Sequence, residues 1–95
     1  MKFHRTPQFY EDYNRLDESD REAVDNAFIN VASALQGNAD LRQHHRIKKM
    51  WGNNEIWEGH VKQNLCFTFH FEDNEAGERV CFFRRIGTHD IYDKP

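Results

Sequence analysis

The sequence predicts one α+β domain, in which a short N-terminal strand and an antiparallel helical hairpin precede a mainly antiparallel sheet of four or five strands. Two observations predict this class. Apolar side chains recur at helical spacing in the first forty residues, and at alternate positions from about residue 47. Because two amphipathic helices must bury their apolar stripes, we expect both to pack on one face of the sheet. We expect residues 1–95 to form this single domain.

The N-terminal elements carry recognisable boundary signals. Residues 2–5 are expected to form the first strand, and Thr6 with Pro7 supplies an N-cap and a first-turn proline. Ser19–Glu22 has the pattern of a capping box for the second helix, and Gly37 is expected to end that helix. The two apolar stripes comprise Phe9, Tyr13 and Leu16, and then Val24, Ala27, Phe28, Val31 and Leu35.

The second half of the chain reads as consecutive strands. One strand is expected to end at Met50-Trp51, followed by a turn at 52–54 and strands over 56–62, 65–71 and 80–86. Alternation assigns Leu65, Phe67, Phe69 and Phe71 to the face under the helices. It assigns the opposite face, expected to be polar and open to solvent, to Glu58, His60, Lys62, Cys66, Thr68 and His70.

Charge and composition narrow the function classes. The net charge is −3, but residues 1–40 hold four Lys/Arg against eight Asp/Glu, whereas residues 41–95 hold nine against eight. No apolar run approaches the ~20 residues of a membrane helix, so a cytoplasmic protein without a membrane partner is expected. Cys66 and Cys81 lie in separate strands and are interpreted as reduced, buried fillers. Without HxxxH or CxxC spacing, the sequence predicts no metal and no cofactor.

Two basic segments favour an RNA-directed site. Arg84, Arg85 and His89 cluster where the last strand ends, next to Gly87. Strand ends hold side chains rigidly, cations stabilise phosphates, and an imidazole transfers protons near neutral pH. The second segment, Arg42 to Lys49, adds further positive charge.

Three segments together resemble the RelE/ParE superfamily of small bacterial toxins, over nearly the whole chain. They are Arg46-Ile47-Lys48-Lys49-Met50-Trp51-Gly52, Ile56-Trp57-Glu58-Gly59-His60-Val61, and Arg84-Arg85-Ile86-Gly87-Thr88-His89-Asp90-Ile91. The last is similar to the glycine-threonine-histidine ending of YafQ-type toxins. The resemblance implies the RelE-like fold, in βααβββ order. It also implies cleavage of messenger RNA on the ribosome, and neutralisation by a small antitoxin encoded beside the toxin gene.

The resemblance also implies site residues. His60 and His89 match the histidine set of YafQ-type toxins, and His45 is similar to its third member. Asn64 stands where those toxins have a catalytic aspartate, and Cys66 where many relatives have an arginine. We therefore expect His60 or His45 as base and His89 as acid, with cations at the phosphate. The expected cations are Arg84 and Arg85 in the catalytic site, and Arg46, Lys48, Lys49 and Lys62 in RNA binding.

Other interpretations remain open at this point. The neutral Cys66 at the arginine place is compatible with a ParE-like gyrase inhibitor, or with a degenerate toxin that only binds its antitoxin. A plain RNA-binding module using residues 42–49 is a third possibility. Among the site residues, His44 and His45 are expected to point apart on a strand, so at most one serves. One of Arg84 and Arg85 could instead pair with an acid.

Overall fold

The chain forms a strand, three helices, four further strands and a final short 3₁₀ helix. The computed structural model describes residues 1–52 and 55–95. The helices are α1 (Pro7–Arg15), α2 (Glu18–Leu35) and α3 (Ala39–His44), and the 3₁₀ helix covers His89–Asp93. The strands are β1 (Lys2–Arg5), β2 (Lys48–Lys49), β3 (Trp57–Lys62), β4 (Leu65–Asp73) and β5 (Arg79–Gly87). Within the described ranges, no helix is long and apolar enough to cross a bilayer.

The five strands form one mixed sheet in the order β1-β5-β4-β3-β2. The strands β2 to β5 pair antiparallel with their neighbours, and β1 pairs parallel with β5. The α1–α2 hairpin therefore joins the first strand to the other edge of the sheet. The predicted α+β class, with a mainly antiparallel sheet, is confirmed.

Aromatic rings hold the helices on the sheet, as the two apolar patterns predict. The ring of Phe28 in α2 lies 4.6 Å from that of Phe83 and 5.1 Å from that of Phe67, centroid to centroid. Phe9 of α1 and Phe69 of β4 complete this fully buried cluster. A Cβ atom at position 59 would lie 2.3 Å from Cζ of Phe67. Because residue 59 is glycine, the Phe67 ring can pack directly against the backbone of β3, the strand that carries His60.

The helix boundaries agree with the sequence signals at two of three places. Thr6 caps α1, accepting a hydrogen bond from the Phe9 amide at 3.2 Å. Gly37 follows the end of α2 with a φ of 117°, a value that favours glycine. The predicted start at Ser19 is wrong, because the carboxylate of Asp17 accepts from the Asp20 amide at 2.8 Å and starts α2 earlier.

Helix α3 is missing from the sequence prediction, which assigned its end to a strand. Asn38 caps it by accepting from the Leu41 amide at 3.1 Å. Six residues are too few to show the apolar periodicity of a helix, and this segment is mostly polar. The sequence therefore carries no pattern that would predict α3. Strand β2 is consequently shorter than expected and ends at Lys49. The predicted turn at 52–54 lies partly outside the described residues, and Gly52 has a φ of 79°.

Candidate functional site

Two histidines that are distant in sequence meet at one end of the sheet. The ring centroids of His60, in β3, and His89, at the start of the 3₁₀ helix, are 5.7 Å apart. Strand register explains their meeting, because His60 pairs with Cys66 and Cys66 pairs with Gly87. The chain leaves β5 after Gly87, so the next residues fold back over this row. His60 is half-buried and His89 is exposed.

The 3₁₀ helix covers part of the face that was expected to be open. Its cap, Thr88, accepts from the Asp90 amide at 3.4 Å, and Ile91 is buried against the sheet. A Cβ atom on Gly87 would lie 3.1 Å from Cγ2 of Ile91, so glycine allows this close approach. Cys66 and Thr68, which were expected on the open face, are both fully buried. The prediction of a polar face open along its whole length is therefore wrong at this end.

Tyr92 joins the histidine pair and was missed in the sequence. A 3₁₀ helix places residues three apart on one side, and the rings of His89 and Tyr92 stack 5.5 Å apart. The Tyr92 hydroxyl lies 3.3 Å from Nε2 of His60 and also bonds the thiol of Cys66. Burial, and then the bond to Cys66, raise the pKa of Tyr92, so its hydroxyl stays protonated. The three-residue spacing after His89 is the signal that could have identified it.

The surroundings of His60 favour its neutral form. Burial is the largest cause lowering its pKa, followed by the positive charges of Arg46, His89, Lys48 and His45. A neutral imidazole keeps a nitrogen lone pair, which is what a proton acceptor requires. Burial also raises the pKa of the Cys66 thiol, which favours its protonated form in the resting protein.

His45 lies beneath His60 and does not reach the surface. Its side chain is 3% exposed, and its Nδ1 atom is 2.9 Å from the carbonyl oxygen of His60. The His60 amide donates to the His45 carbonyl oxygen at 2.7 Å. The expectation that His44 and His45 point apart on a strand is wrong. Both lie at the end of α3, and their rings meet edge to face at 4.9 Å.

A basic groove opens beside His60. Its volume is about 510 Å³, and its lining includes Arg42, Arg46 and Lys48 as well as His60. Arg46 is exposed, and within residues 1–52 and 55–95 no carboxylate lies in ion-pair range of it. Lys48 forms an ion pair with Glu58, in which Nζ lies 3.7 Å from Oε1. Of the predicted phosphate-binding residues, Arg46 and Lys48 are therefore the two that accompany the histidine pair.

Lys49 and Arg84 line a different groove of about 670 Å³. Lys49 lies over the ring of Trp57, 5.6 Å from its centroid. The guanidinium of Arg84 donates to Nδ1 of His70 at 3.0 Å and to the carbonyl oxygen of Pro95 at 3.3 Å. Nε2 of His70 is then the protonated nitrogen, which bonds Glu72 at 2.7 Å. Arg84 is thus held in a polar chain away from the basic groove.

Arg85 and Lys62 have acidic partners. Strand β1 ends at Arg5, which leaves the adjoining edge of β5 without a strand neighbour. Asp12 of α1 takes that place, accepting from the Ile86 amide at 3.2 Å and from Nε of Arg85 at 2.6 Å. A register shift between His60 and Lys62 accompanies an ion pair of Lys62 with Asp20 of α2, at 2.7 Å. Neither cation joins the histidine pair.

Three potential metal ligands meet at the same place, although the sequence predicted no metal site. The ligand atoms of His60, Cys66 and His89 all lie within 4.8 Å of one another. The three residues come from three different elements, which are β3, β4 and the 3₁₀ helix. No short spacing motif in the sequence therefore predicts the group.

The chain combines a helical hairpin and a third short helix with a mixed five-stranded sheet, and this arrangement matches the fold of the RelE-like toxins. Among solved structures, the chain resembles YafQ from E. coli strain BL21(DE3), with a TM-score of 0.66, 14% identity and 96% of each chain covered. It also resembles a YoeB/ParE toxin from Agrobacterium tumefaciens, with a TM-score of 0.61 and 12% identity over 94% of this chain and 99% of that one.

A third similar structure is the E. coli DinJ-YafQ complex, with a TM-score of 0.63 and 13% identity over 94% of this chain and 93% of that one. No protein-family model and no curated protein sequence matches the chain. At these identities, the likeness confirms the predicted RelE-like fold.

Proposed function

We propose that the protein is the toxin of a type II toxin–antitoxin system and a metal-independent endoribonuclease that cleaves messenger RNA on the ribosome. The observation that carries the proposal is the His60–His89 pair beside the basic groove. The RelE-like fold and the toxin resemblance in the three sequence segments support it.

The proposed reaction uses the RNA's own nucleophile. His60 removes the proton of a ribose 2′-hydroxyl, and the 2′-oxygen attacks the adjacent phosphorus. The bond from phosphorus to the 5′-oxygen breaks, and that oxygen takes a proton from His89. The products are a 2′,3′-cyclic phosphate and a 5′-hydroxyl. Each proton transfer of this kind contributes about 10²–10⁴-fold to a rate.

The geometry around the histidine pair supports one assignment of the catalytic roles within this proposal. His60 is the better base, since burial and nearby cations favour its neutral form, whereas the His45 ring is enclosed. His89 is exposed and suits a proton donor that must reach the leaving oxygen. Arg46 and Lys48 supply positive charge for the phosphate. Electrostatic stabilisation of this type is often the largest catalytic contribution.

The test is RNA cleavage by purified protein on programmed ribosomes, with a chelator present throughout. His89→Ala should lower the cleavage rate at least about 100-fold. His4→Ala is the matched control, because His4 lies in β1 at the opposite part of the sheet and should leave the rate unchanged. Cyclic phosphate ends are expected on the upstream fragment. Equal cleavage by the wild type and His89→Ala would remove His89 from the mechanism.

A second candidate is a non-nuclease toxin, either a gyrase inhibitor or a degenerate chain that binds only its antitoxin. The partners of Arg84 and Arg85 favour it, because both guanidinium groups are engaged within the protein. Intact transcripts with inhibited DNA supercoiling would establish the gyrase alternative. Intact transcripts and normal supercoiling would establish the degenerate one.

The proposed partner is a small antitoxin encoded by a neighbouring gene. The similar E. coli structure is described as a DinJ-YafQ toxin–antitoxin complex. Co-expression of the neighbouring product should relieve growth arrest and give a complex that co-purifies. Separate elution of the two chains would count against this partner.

A further inference from the structure

We propose that His60, Cys66 and His89 form a binding site for a thiophilic metal ion of the Zn²⁺ class. Resting on the proposed function, we further infer that bound metal inhibits RNA cleavage by occupying the imidazoles of both histidines. The basis of the proposal is that the ligand atoms of two imidazoles and one thiol all lie within 4.8 Å of one another. Zinc sites commonly use three such protein ligands and leave a fourth position for another group.

The distances require a small closing movement. Zinc lies about 2.0–2.1 Å from histidine nitrogen and about 2.3 Å from sulfur, so two nitrogens and one sulfur around a tetrahedral ion are about 3.3–3.6 Å apart. Because the ligand atoms lie within 4.8 Å of one another, no pair has to close by more than about 1.5 Å. His89 can move most easily, because its side chain is exposed on a short 3₁₀ helix. Cys66 is fixed in the central strand β4.

The surrounding groups favour a soft or borderline ion over a hard one. Arg46 and Lys48 act electrostatically on His60, and this positive charge opposes ions held only by charge, such as Mg²⁺. Sulfur and imidazole donors select Zn²⁺ or Cu⁺ instead. On binding, the Cys66 proton leaves to solvent, and one metal–sulfur and two metal–nitrogen bonds form. No electron is transferred.

Tyr92 lies next to the proposed ligands. Its hydroxyl is 3.3 Å from Nε2 of His60 and bonds Cys66, so it contacts two of the three ligands. A metal ion held by His60 and Cys66 would displace these hydrogen bonds. Occupancy also removes the lone pair that His60 needs as a base.

The binding test uses Co²⁺ as a spectroscopic probe on metal-free protein, followed by displacement with Zn²⁺. We expect a sulfur-to-cobalt charge-transfer band that Zn²⁺ abolishes and Mg²⁺ does not. Cys66→Ala should remove the band. His89→Gln, whose exposed position favours normal folding, should weaken binding at least about tenfold, since even outer-shell losses cost 10–100-fold.

Cys81→Ala is the matched control, because Cys81 is equally buried but lies in the core on β5. It should keep the band and the affinity. No band in the wild-type protein, or equal loss in the Cys66 and Cys81 variants, would overturn the site.

The inhibitory effect is measured separately. Zn²⁺ should stop RNA cleavage by the wild type, and Cys66→Ala should need at least about tenfold more Zn²⁺ for the same inhibition. Equal inhibition of the two proteins would overturn regulation by this site. If the wild type cleaves no RNA in the presence of chelator, the nuclease proposal fails, while the cobalt titration still decides the metal site.

Discussion

His45 and His60 hold each other through two reciprocal hydrogen bonds. Nδ1 of His45 lies 2.9 Å from the carbonyl oxygen of His60, and the His60 amide lies 2.7 Å from the carbonyl oxygen of His45. The first of these bonds involves a side chain that is almost fully enclosed. His45 therefore fixes the backbone of His60, and we assign it a positioning role.

Substitutions at His45 separate positioning from proton transfer. Asparagine can donate to the His60 carbonyl from nearly the same place as Nδ1, whereas leucine cannot. His45→Asn should keep cleavage within a few-fold of the wild type. His45→Leu should lose about 1–3 kcal/mol of unfolding free energy, because the partly buried carbonyl of His60 loses its donor, and its kcat should fall with little change in KM. Equal loss of activity in both variants would point to proton transfer by His45 itself.

Arg46 combines a strained backbone with a functional side chain. It follows α3 with a φ of 51°, at the position where helices usually end with glycine. The left-handed conformation costs a residue with a Cβ atom about 1–2 kcal/mol. Glycine avoids this strain, but part of the gain is lost because glycine has more conformational entropy in the unfolded chain. Arg46→Gly should thus be more stable than Arg46→Ala by about 0.5–1 kcal/mol in urea unfolding.

Both Arg46 variants lack the guanidinium, so both should bind RNA equally weakly and show a smaller dependence of affinity on salt. Arg46→Lys keeps the charge and serves as the control. Normal RNA affinity in Arg46→Ala would exclude Arg46 from phosphate binding.

The neutral His60 predicts a pH dependence of stability. Its pKa in the folded protein is lower than the ordinary value of 6.5, so the unfolded chain binds the proton more tightly. The unfolding free energy should therefore fall as the pH drops below about 6.5, the ordinary pKa of the imidazole in the unfolded chain, and should reach its full value above that pH. Urea unfolding at pH 7.5 and pH 5.5, with chelator, measures this change. His60→Gln should lose less stability between the two pH values, and an identical loss would contradict the shift.

The ion pairs of Arg85 and Lys62 should contribute unequally to the unfolding free energy. The side chain of Asp12 is 5% exposed, and Asp12→Ala leaves Nε and Nη2 of Arg85 and the Ile86 amide without their acceptor. Thermal or urea unfolding should show a loss of about 3 kcal/mol or more. Lys62→Gln removes an exposed pair and should leave the unfolding free energy nearly unchanged. Similar effects of the two substitutions would show that burial does not distinguish these pairs.

The sequence was sufficient for the fold because its main signals are periodic. Phe67 and Phe69 alternate with polar residues, and the apolar residues of α2 recur at helical spacing. Each period predicts both the type of element and the face that packs in the core. Thr6 and Gly37 added boundaries with a clear physical basis. Helix α3 escaped because it is short and polar, and its end depends on the backbone conformation of Arg46.

The candidate site was only partly predictable for a different reason. His60 and His89 could be selected by residue type, but the roles of Arg85 and Lys62 depend on which acids the helices bring near. Asp12 and Asp20 lie far from these cations in sequence, and no local pattern links them. The covering of Cys66 likewise depends on the direction of the chain after Gly87.

The parallel pairing of β1 with β5 has a consequence for folding kinetics. The β3–β4–β5 meander consists of neighbouring segments and can form through short loops, whereas Phe3 must meet Cys81 across nearly the entire chain. The entropy of closing so large a loop is lost before its contacts stabilise the chain. Docking of the first strand should therefore come late in refolding, with destabilising substitutions in β1 accelerating unfolding far more than they slow the folding rate.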